Sequence, residues 1–249
     1  GQTIWSSPWV GFRWLKGFFA SIYFTRLISN TFILSGLSLI FSFPVPIIFA
    51  LLLNEVRRKS LKWAVQTVSY LPHFISLVVM VGILSNFLSP SDGVINQLLR
   101  KFGMEPINFM GESAWFRPLY IGSGIWQSYG WNSIIYMAAL TSIDPQLYEA
   151  ARIDGCNRWK EMRYITLPGI RPTAVMLLIL ALGNLMNVGF EKIILMYSPA
   201  IYDVSDVIST YVYRRGILSA QYSFGSAVGL FNSIINFILL LSVNRISRH

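Results

Sequence analysis

The sequence predicts an all-α integral membrane protein, and three observations support this fold class. Hydrophobic residues make up 54% of the 249 residues and charged residues only 12%, well below the ~25% of a typical soluble domain. The mean hydropathy is positive, at +0.53. The charges are also clustered, and the intervening charge-free stretches are near or above the ~20 residues that a helix needs to cross a bilayer. These stretches predict five transmembrane helices: Thr31–Leu53, Trp63–Leu88, Pro118–Ile143, Pro172–Phe190 and Gly216–Asn244.

Residues 1–30 precede the first stretch and are predicted to form an external or interfacial segment. Within it, Gly11–Ile28 interleaves Phe, Trp and Leu with basic residues, a composition typical of an amphipathic helix at a membrane surface. The same pattern suits packing against a neighbouring subunit. Because an external start without a signal peptide implies a preceding span, we expect a further N-terminal transmembrane helix before this segment. Residues 31–249 are predicted to form the transmembrane domain.

Prolines interrupt the first two predicted spans. Pro44 and Pro46 lie in the first, and Leu71-Pro72-His73 lies in the second. Proline removes an intrahelical hydrogen bond, and a membrane tolerates this loss where neighbouring groups satisfy the backbone. We therefore expect interrupted intrahelical hydrogen bonding at these points.

The basic residues give the predicted orientation. Of the 20 Lys and Arg residues, four lie in Asn54–Lys62, five in Arg152–Arg171, and two in the C-terminal tail. These three places share one side if the spans alternate, and Lys and Arg concentrate in cytoplasmic loops. The sequence thus predicts a multi-pass protein of the inner (plasma) membrane with a cytoplasmic C-terminus. The net charge of +9 needs no nucleic-acid partner.

The sequence lacks the residues that several kinds of functional site require. Cys156 is the single cysteine, and His73 and His249 are the two histidines, too few for a disulfide or a histidine-based metal site. No phosphate-binding loop of the form G-x-x-x-x-G-K-[ST] is present. We therefore predict no catalytic residue, no metal and no cofactor in this chain.

Residues 144–171, here named the charged loop, stand between two charge-free spans. Pro145 suits the first position of a helix, and Gly155 accepts the left-handed backbone of a helix end. A second short helix is predicted over Arg158–Ile165, ending at Leu167-Pro168. The resulting helix–turn–helix is suited to dock into the groove of another protein, although a hairpin that merely connects two spans is the alternative.

The charged loop resembles the EAA motif of ABC-importer permeases. The match runs from Glu149-Ala150-Ala151 to Gly155 after three residues, then to Ile165 and Leu167-Pro168. The chain further resembles the carbohydrate, maltose-permease-like branch, and "QTVSYLPHFIS", "DGVINQLL" and "DVISTYVYRRGI" resemble its members for larger saccharides, alginate-importer permeases included. The residues assigned to coupling on this resemblance are Glu149, Ala150, Ala151, Asp154, Gly155, Ile165, Leu167 and Pro168.

The resemblance implies a type I ABC importer permease fold and a set of partners. These are a second permease of the same fold, two ATPase subunits that hold ATP and Mg, and a periplasmic solute-binding protein. The charged loop would fit a cleft of the ATPase and transmit its closure to the spans. The function implied is ATP-driven import of an oligo- or polysaccharide.

Amide and aromatic side chains in the spans are candidates for the substrate pathway. Asn184 and Asn187 are three residues apart and would share one helix face at a depth close to that of Gln127. Trp131 and Asn132 lie one turn deeper than Gln127. Amides donate and accept hydrogen bonds, as sugar hydroxyls require, and the asparagine pair resembles sugar-contacting residues of the maltose permease. The alternative is that these amides hydrogen-bond between helices.

Two other functions fit a polytopic membrane protein. A secondary transporter would work without ATP, and its fold would commonly show internal repeats, which the sequence lacks. An intramembrane enzyme needs an acid, base or nucleophile cluster within the spans, and the five apolar stretches contain no charged residue.

Overall fold

The structure, a computed structural model, describes residues 8–247, and every regular element in that range is helical. The α-helices are α1 (Arg13–Phe19), α2 (Phe24–Ser42), α3 (Pro44–Asn54), α4 (Lys59–Tyr70), α5 (Leu77–Phe87), α6 (Val94–Lys101), α7 (Ser113–Thr141), α8 (Pro145–Ile153), α9 (Arg158–Glu161), α10 (Leu167–Gly183), α11 (Phe190–Met196), α12 (Tyr202–Ser205), α13 (Ile208–Val212) and α14 (Tyr222–Ser247). Shorter 3₁₀ turns occupy Leu71–Phe74 and Pro199–Ile201, and π-helical turns occupy Met162–Thr166 and Tyr213–Leu218.

Three helical stretches of the described residues are long and apolar enough to cross a membrane. They are Phe24–Asn54, Arg158–Gly183 and Tyr222–Ser242. A fourth span results if Lys59–Phe74 and Leu77–Phe87, which meet at 98°, are one broken span. Helix α7 is 29 residues long but carries many polar and aromatic side chains. Five spans therefore stay a prediction.

The bend between α4 and α5 falls where the sequence predicts a break. Pro72 lies in the 3₁₀ turn, and the side chain of Ser76 caps α5 by accepting a hydrogen bond from the Val79 amide (3.3 Å). The amide of Gln127 on α7 donates to the carbonyl of Ile75 (2.9 Å). A neighbouring helix thus satisfies a backbone group freed at the bend, as a membrane requires.

Helix α7 lies at the centre of the fold and packs against α2, α3, α4 and α10. At Gly130, a Cβ atom would collide with the backbone carbonyl of Ser69 on α4, so only glycine permits this approach. Buried side chains from α2, α5, α7 and α11 form the largest core cluster around α7; they include Leu34, Met80, Phe116 and Ile193.

The N-terminal segment differs from the single amphipathic helix predicted over Gly11–Ile28. The chain turns between Ala20 and Tyr23, so that α1 and the start of α2 are separate helices. Phe18 is fully buried in a cluster with Met186 and Phe224. Because this segment packs against helices of its own chain, it forms two short helical pieces in place of one interfacial helix. The predicted boundary between residues 30 and 31 also falls inside α2.

The two ends of the molecule are set by α2 and α3. Glu55 follows α3 and pairs with Arg158 of the charged loop (3.0 Å). The 31 residues of Phe24–Asn54 extend about 46 Å at 1.5 Å per residue, so Phe24 lies at the opposite end from the charged loop.

Candidate functional site

Helix α8 of the charged loop is held by its own caps. The carboxylate of Asp144 accepts a hydrogen bond from the Gln146 amide (2.9 Å), and Pro145 occupies the first turn as predicted. At the other end, Gly155 adopts φ +73°, and the Cys156 amide donates to the carbonyl of Ala151 (2.9 Å). Such a glycine-terminated helix end satisfies carbonyls without tertiary contacts.

Ion pairs tie the charged loop together and to the first span. Arg152 pairs with Glu161 (3.0 Å), which joins α8 to α9, and Arg158 pairs with Glu55 (3.0 Å). The hydrogen bond to Glu161, together with the charge of that carboxylate, raises the pKa of the Arg152 guanidinium. A polar cleft of about 830 Å³ lies between these groups.

No residue of α8 is buried. The exposed fraction is 53% for Leu147 and 86% for Ile153, and Trp159 of α9 is 68% exposed. Large apolar side chains left uncovered on a charged segment are typical of a protein contact surface. The assigned residues Glu149, Ala150, Asp154 and Gly155 are exposed, and Ala151 is partly buried.

The predicted helix end at Leu167-Pro168 is wrong. Helix continues from Arg158 to Gly183 over 26 residues, passing through the π turn and into α10. Pro168 lies in the first turn of α10, where a missing N–H is tolerated, and the π turn before it re-spaces the backbone hydrogen bonds. Ile165 and Leu167 therefore lie within a continuous helix.

Asn184 and Asn187 do not share a helix face, because α10 ends at Gly183 and a turn follows. They nevertheless line one cavity of about 190 Å³, here named the asparagine cavity, together with Ser35, Ser38 and Tyr120. Ser38 is near the middle of the Phe24–Asn54 helix, so this cavity lies about halfway between the two ends of the molecule.

The polar groups of the asparagine cavity are incompletely paired within the chain. Asn184 donates to the Leu180 carbonyl (3.1 Å), and the Asn187 side-chain oxygen accepts from Asn232 and Asn236 (both 3.3 Å). The hydroxyls of Ser35 and Ser38 are buried and have no partner among the described residues. A buried polar group without a partner is costly, and these hydroxyls are therefore available to a ligand or to water.

Asn132 lines a neighbouring cavity of about 310 Å³. This cavity shares Ser38, Leu39 and Ala181 with the asparagine cavity, so the two are adjacent. The structure thus brings Asn132 close to the asparagine pair. Sequence reasoning missed Ser35 and Ser38, because serines in an apolar span look like helix contacts, although their i, i+3 spacing is a usable signal.

Gln127 and Trp131 lie elsewhere, at the bend between α4 and α5. The Gln127 amide donates a hydrogen bond to the Ile75 carbonyl, which agrees with the alternative that these amides hydrogen-bond between helices. Trp131 stacks on His73 with ring centroids 4.5 Å apart and contacts Phe74 edge-on (5.5 Å). All three rings are exposed, so they form an uncovered aromatic platform.

The site consists of helix α8, capped at both ends and without a buried residue, at one end of the molecule, and of uncharged polar cavities halfway through a helical bundle. Among residues 8–247, no group of three His, Cys, Asp or Glu side chains could hold a metal ion. Aliphatic spans, polar cavities and an exposed loop are together typical of a membrane-embedded permease.

Comparison with known proteins agrees with this class. Residues 42–249 match the family described as "Binding-protein-dependent transport system inner membrane component". The chain is 44% identical over 242 residues to the "Polygalacturonan/rhamnogalacturonan transport system permease protein YteP" of Bacillus subtilis (strain 168), covering 97% of this chain and 75% of that protein.

Two solved structures match almost the whole chain. The first is a bacterial ABC transporter involved in the import of the acidic polysaccharide alginate, with a TM-score of 0.94, 48% identity, and coverage of 98% of this chain and 85% of that one. The second is a bacterial alginate ABC transporter in complex with an alginate pentasaccharide-bound periplasmic protein, with a TM-score of 0.93, 48% identity, and coverage of 96% and 83%.

The chain belongs to this family of inner membrane components of binding-protein-dependent transport systems. It has the type I ABC permease fold and is a transport subunit rather than an enzyme.

Proposed function

We propose that this chain is the permease subunit of an ABC importer that moves an oligo- or polysaccharide, alginate-like substrates included, from a periplasmic binding protein into the cytoplasm. The observation that carries the coupling role is helix α8, which has capped ends and no buried residue. A nine-residue helix with so little packing gains its tertiary contacts from another protein.

The partner that covers α8 is proposed to be an ATPase subunit. Glu149, Ala150 and Ala151 would lie in its cleft, with Gly155 fixing the turn behind them. The complete transporter would contain two ATPase subunits that bind ATP and Mg, a second permease of the same fold, and a solute-binding protein. The structure of the alginate transporter with its periplasmic protein supports the last of these.

Movement of α8 would reach the cavity through one helix. Arg152 and Glu161 join α8 to α9, and helix then runs unbroken from Arg158 to Gly183, about 39 Å at 1.5 Å per residue. Asn184 follows directly. A tilt of the charged loop is thereby transmitted as a displacement of the asparagine cavity.

The proposed substrate contacts are Asn184, Asn187 and Asn132. We include Ser35 and Ser38, which line the asparagine cavity. Their side chains offer donors and acceptors without charge, which suits sugar hydroxyls. Trp131 would contact substrate as part of the aromatic platform, since sugar C–H groups pack against ring faces. Gln127 is instead a support of the bend. The YteP relative and the alginate importer support a polysaccharide substrate.

The proposed orientation puts the charged loop and the C-terminus in the cytoplasm and the start of α2 in the periplasm. The distribution of Lys and Arg supports it. Residues 8–30 would then lie at the periplasmic face, and residues 31–247 would form most of the transmembrane part. The remaining predicted residues, 1–7 and 248–249, lie outside the described range.

Reconstitution tests the function. Proteoliposomes containing this chain, its second permease and its ATPase would receive binding protein loaded with alginate pentasaccharide. We expect import that requires ATP on the side of the charged loop. Import driven by an ion gradient without ATP would show a secondary transporter instead.

A further inference from the structure

A further polar cavity lies at the end of the molecule opposite the charged loop. It has a volume of about 450 Å³, within the range of about 300–1,000 Å³ typical of small-molecule sites. Tyrosine and arginine dominate its lining, and no aliphatic side chain contributes. We name it the arginine cavity; it is lined by Tyr23, Arg26, Tyr202, Tyr211, Arg214 and Arg215.

One buried carboxylate organises two of the three arginines. Asp206 is fully buried, and one of its oxygens accepts from Arg214 (2.6 Å) and from Arg26 (3.4 Å). The other oxygen accepts from the hydroxyl of Thr210 (2.8 Å). Both guanidinium groups are thus fixed in position before any ligand arrives.

The positive charge of the arginine cavity exceeds the negative charge that balances it. Arg26, Arg214 and Arg215 face two carboxylates, those of Asp206 and the nearby Asp203, so one positive charge remains in excess. Arg215 forms no ion pair with a described carboxylate. The Asp203 carboxylate accepts a hydrogen bond from the Ser113 hydroxyl (2.7 Å), which holds it in place and leaves its charge. A surplus of fixed cations in a concave site attracts an anion.

Unused hydrogen-bond donors point to the same conclusion. The Nε of Arg26 and the Nη1 of Arg214 are buried and have no partner among the described residues. A buried N–H without an acceptor is costly, and a carboxylate pairs well with a guanidinium. The arginine cavity therefore contains both charge and donors for a carboxylate ligand.

The tyrosines of the arginine cavity indicate which kind of carboxylate ligand fits it. The Arg26 guanidinium lies over the Tyr23 ring (5.1 Å) and that of Arg214 over Tyr202 (4.5 Å), so aromatic faces and charged groups alternate around the cavity. Aromatic faces accept the C–H side of a pyranose, while a guanidinium binds its carboxylate. We propose that the arginine cavity binds one uronate unit of an acidic saccharide at the entrance to the pathway.

This proposal rests on the proposed function and names its substrate class. Whereas the asparagine cavity has hydroxyl-binding groups and no charge, the arginine cavity is the charged site at the opposite end of the molecule from the charged loop. Selection for acidic saccharides would therefore occur here, before the saccharide reaches the uncharged cavities.

Arg215→Gln is the main test, because Arg215 is exposed and its replacement leaves the Asp206 cluster intact. The assay measures import of alginate pentasaccharide and of the same pentasaccharide with its carboxylates reduced to alcohols. We expect the ratio of acidic to neutral import to fall about ten-fold, as for one lost charge-assisted hydrogen bond. The matched control is Lys101→Gln, an exposed cation outside the cavity, which should leave the ratio unchanged.

Three other results would overturn the proposal. Equal loss of acidic and neutral import in Arg215→Gln, with weaker capture of the binding protein, would show that Arg215 contacts that protein and not the uronate. An unchanged ratio with both imports at the parent rate would show that Arg215 binds no uronate. A ten-fold fall in the Lys101→Gln control would show a general effect of surface charge. If the parent complex imports neither saccharide, the proposed function itself fails.

Discussion

The charged loop and the arginine cavity lie at opposite ends of the same molecule and are built in contrasting ways. Helix α8 has capped ends, an ion pair to α9 and no buried residue. At the other end, Asp206 is fully buried and binds two arginines and a threonine. The first region leaves large apolar side chains exposed, whereas the second is ordered by the chain itself.

This contrast separates two tasks. A surface that transmits force must contact the protein that moves it, and the helix that forms this surface needs only to keep its shape. A surface that selects a ligand must hold its charges in place beforehand, because ordering them on binding would reduce affinity. Changes in the charged loop should therefore affect ATP hydrolysis and coupling, and changes in the cavities should affect substrate preference.

The largest expected effect is that of Gly155→Val. Gly155 has φ +73°, which costs a β-branched residue about 1–2 kcal/mol, and the open space around it makes this strain the only penalty. We expect substrate-stimulated ATP hydrolysis to be lost. Gly103→Val is the matched control, since Gly103 has φ +75° with equally open surroundings outside the charged loop. Equal loss of stimulation in both variants would contradict a coupling role.

Glu149→Lys reverses a charge on the exposed face of α8. If that carboxylate meets a cation of the ATPase, its loss removes about 1.5–3 kcal/mol, and attachment of the ATPase should weaken by about ten-fold or more. Binding of purified ATPase to the permease in nanodiscs measures this. Glu105→Lys, an exposed acid outside the charged loop, should bind the ATPase like the parent. Parent-like binding by Glu149→Lys would remove this residue from the contact.

Asn184→Leu tests the asparagine cavity with little effect on folding, because the Asn184 side chain bonds only within its own helix end. Loss of one neutral hydrogen bond to substrate costs about 0.5–1.5 kcal/mol, so transport should fall several-fold while basal ATP hydrolysis persists. Asn187→Leu should lower both transport and thermal stability, since Asn232 and Asn236 lose their acceptor. Unchanged transport in the double variant would remove these residues from the pathway.

Gln127→Leu should have the smallest effect on transport. It leaves the Ile75 carbonyl without its donor at the α4–α5 bend and should lower the free energy of unfolding by about 1 kcal/mol. Thermal unfolding of the purified permease measures the loss. His73→Ala, which removes a ring stacked on Trp131, should instead reduce saccharide transport with little change in stability. A large transport defect in Gln127→Leu at parent stability would assign this amide to the pathway.

Local signals in the sequence predicted the class and the charged loop well. Pro145 and Gly155 act through backbone geometry, and the break in the helix at Pro72 follows from a missing N–H, so each is visible without tertiary information. The predicted helix end at Pro168 was wrong because a π turn before this residue accommodates it. Hydrogen-bond spacing of that kind has no sequence signature. Asn184 and Asn187 meet at one cavity for a reason other than helical spacing, namely a turn after Gly183. The arginine cavity joins residues about 180 positions apart, a proximity that only the fold creates.

The central claim is that α8 is the surface covered by the ATPase, and alkylation of a cysteine in that helix tests it most directly. Ile153→Cys in a Cys156→Ser background places a single exposed thiol on α8, and Lys101→Cys in the same background serves as the reference outside the charged loop. We expect addition of the ATPase to slow modification at position 153 strongly and to leave position 101 unchanged. Equal modification of position 153 with and without bound ATPase would contradict the account.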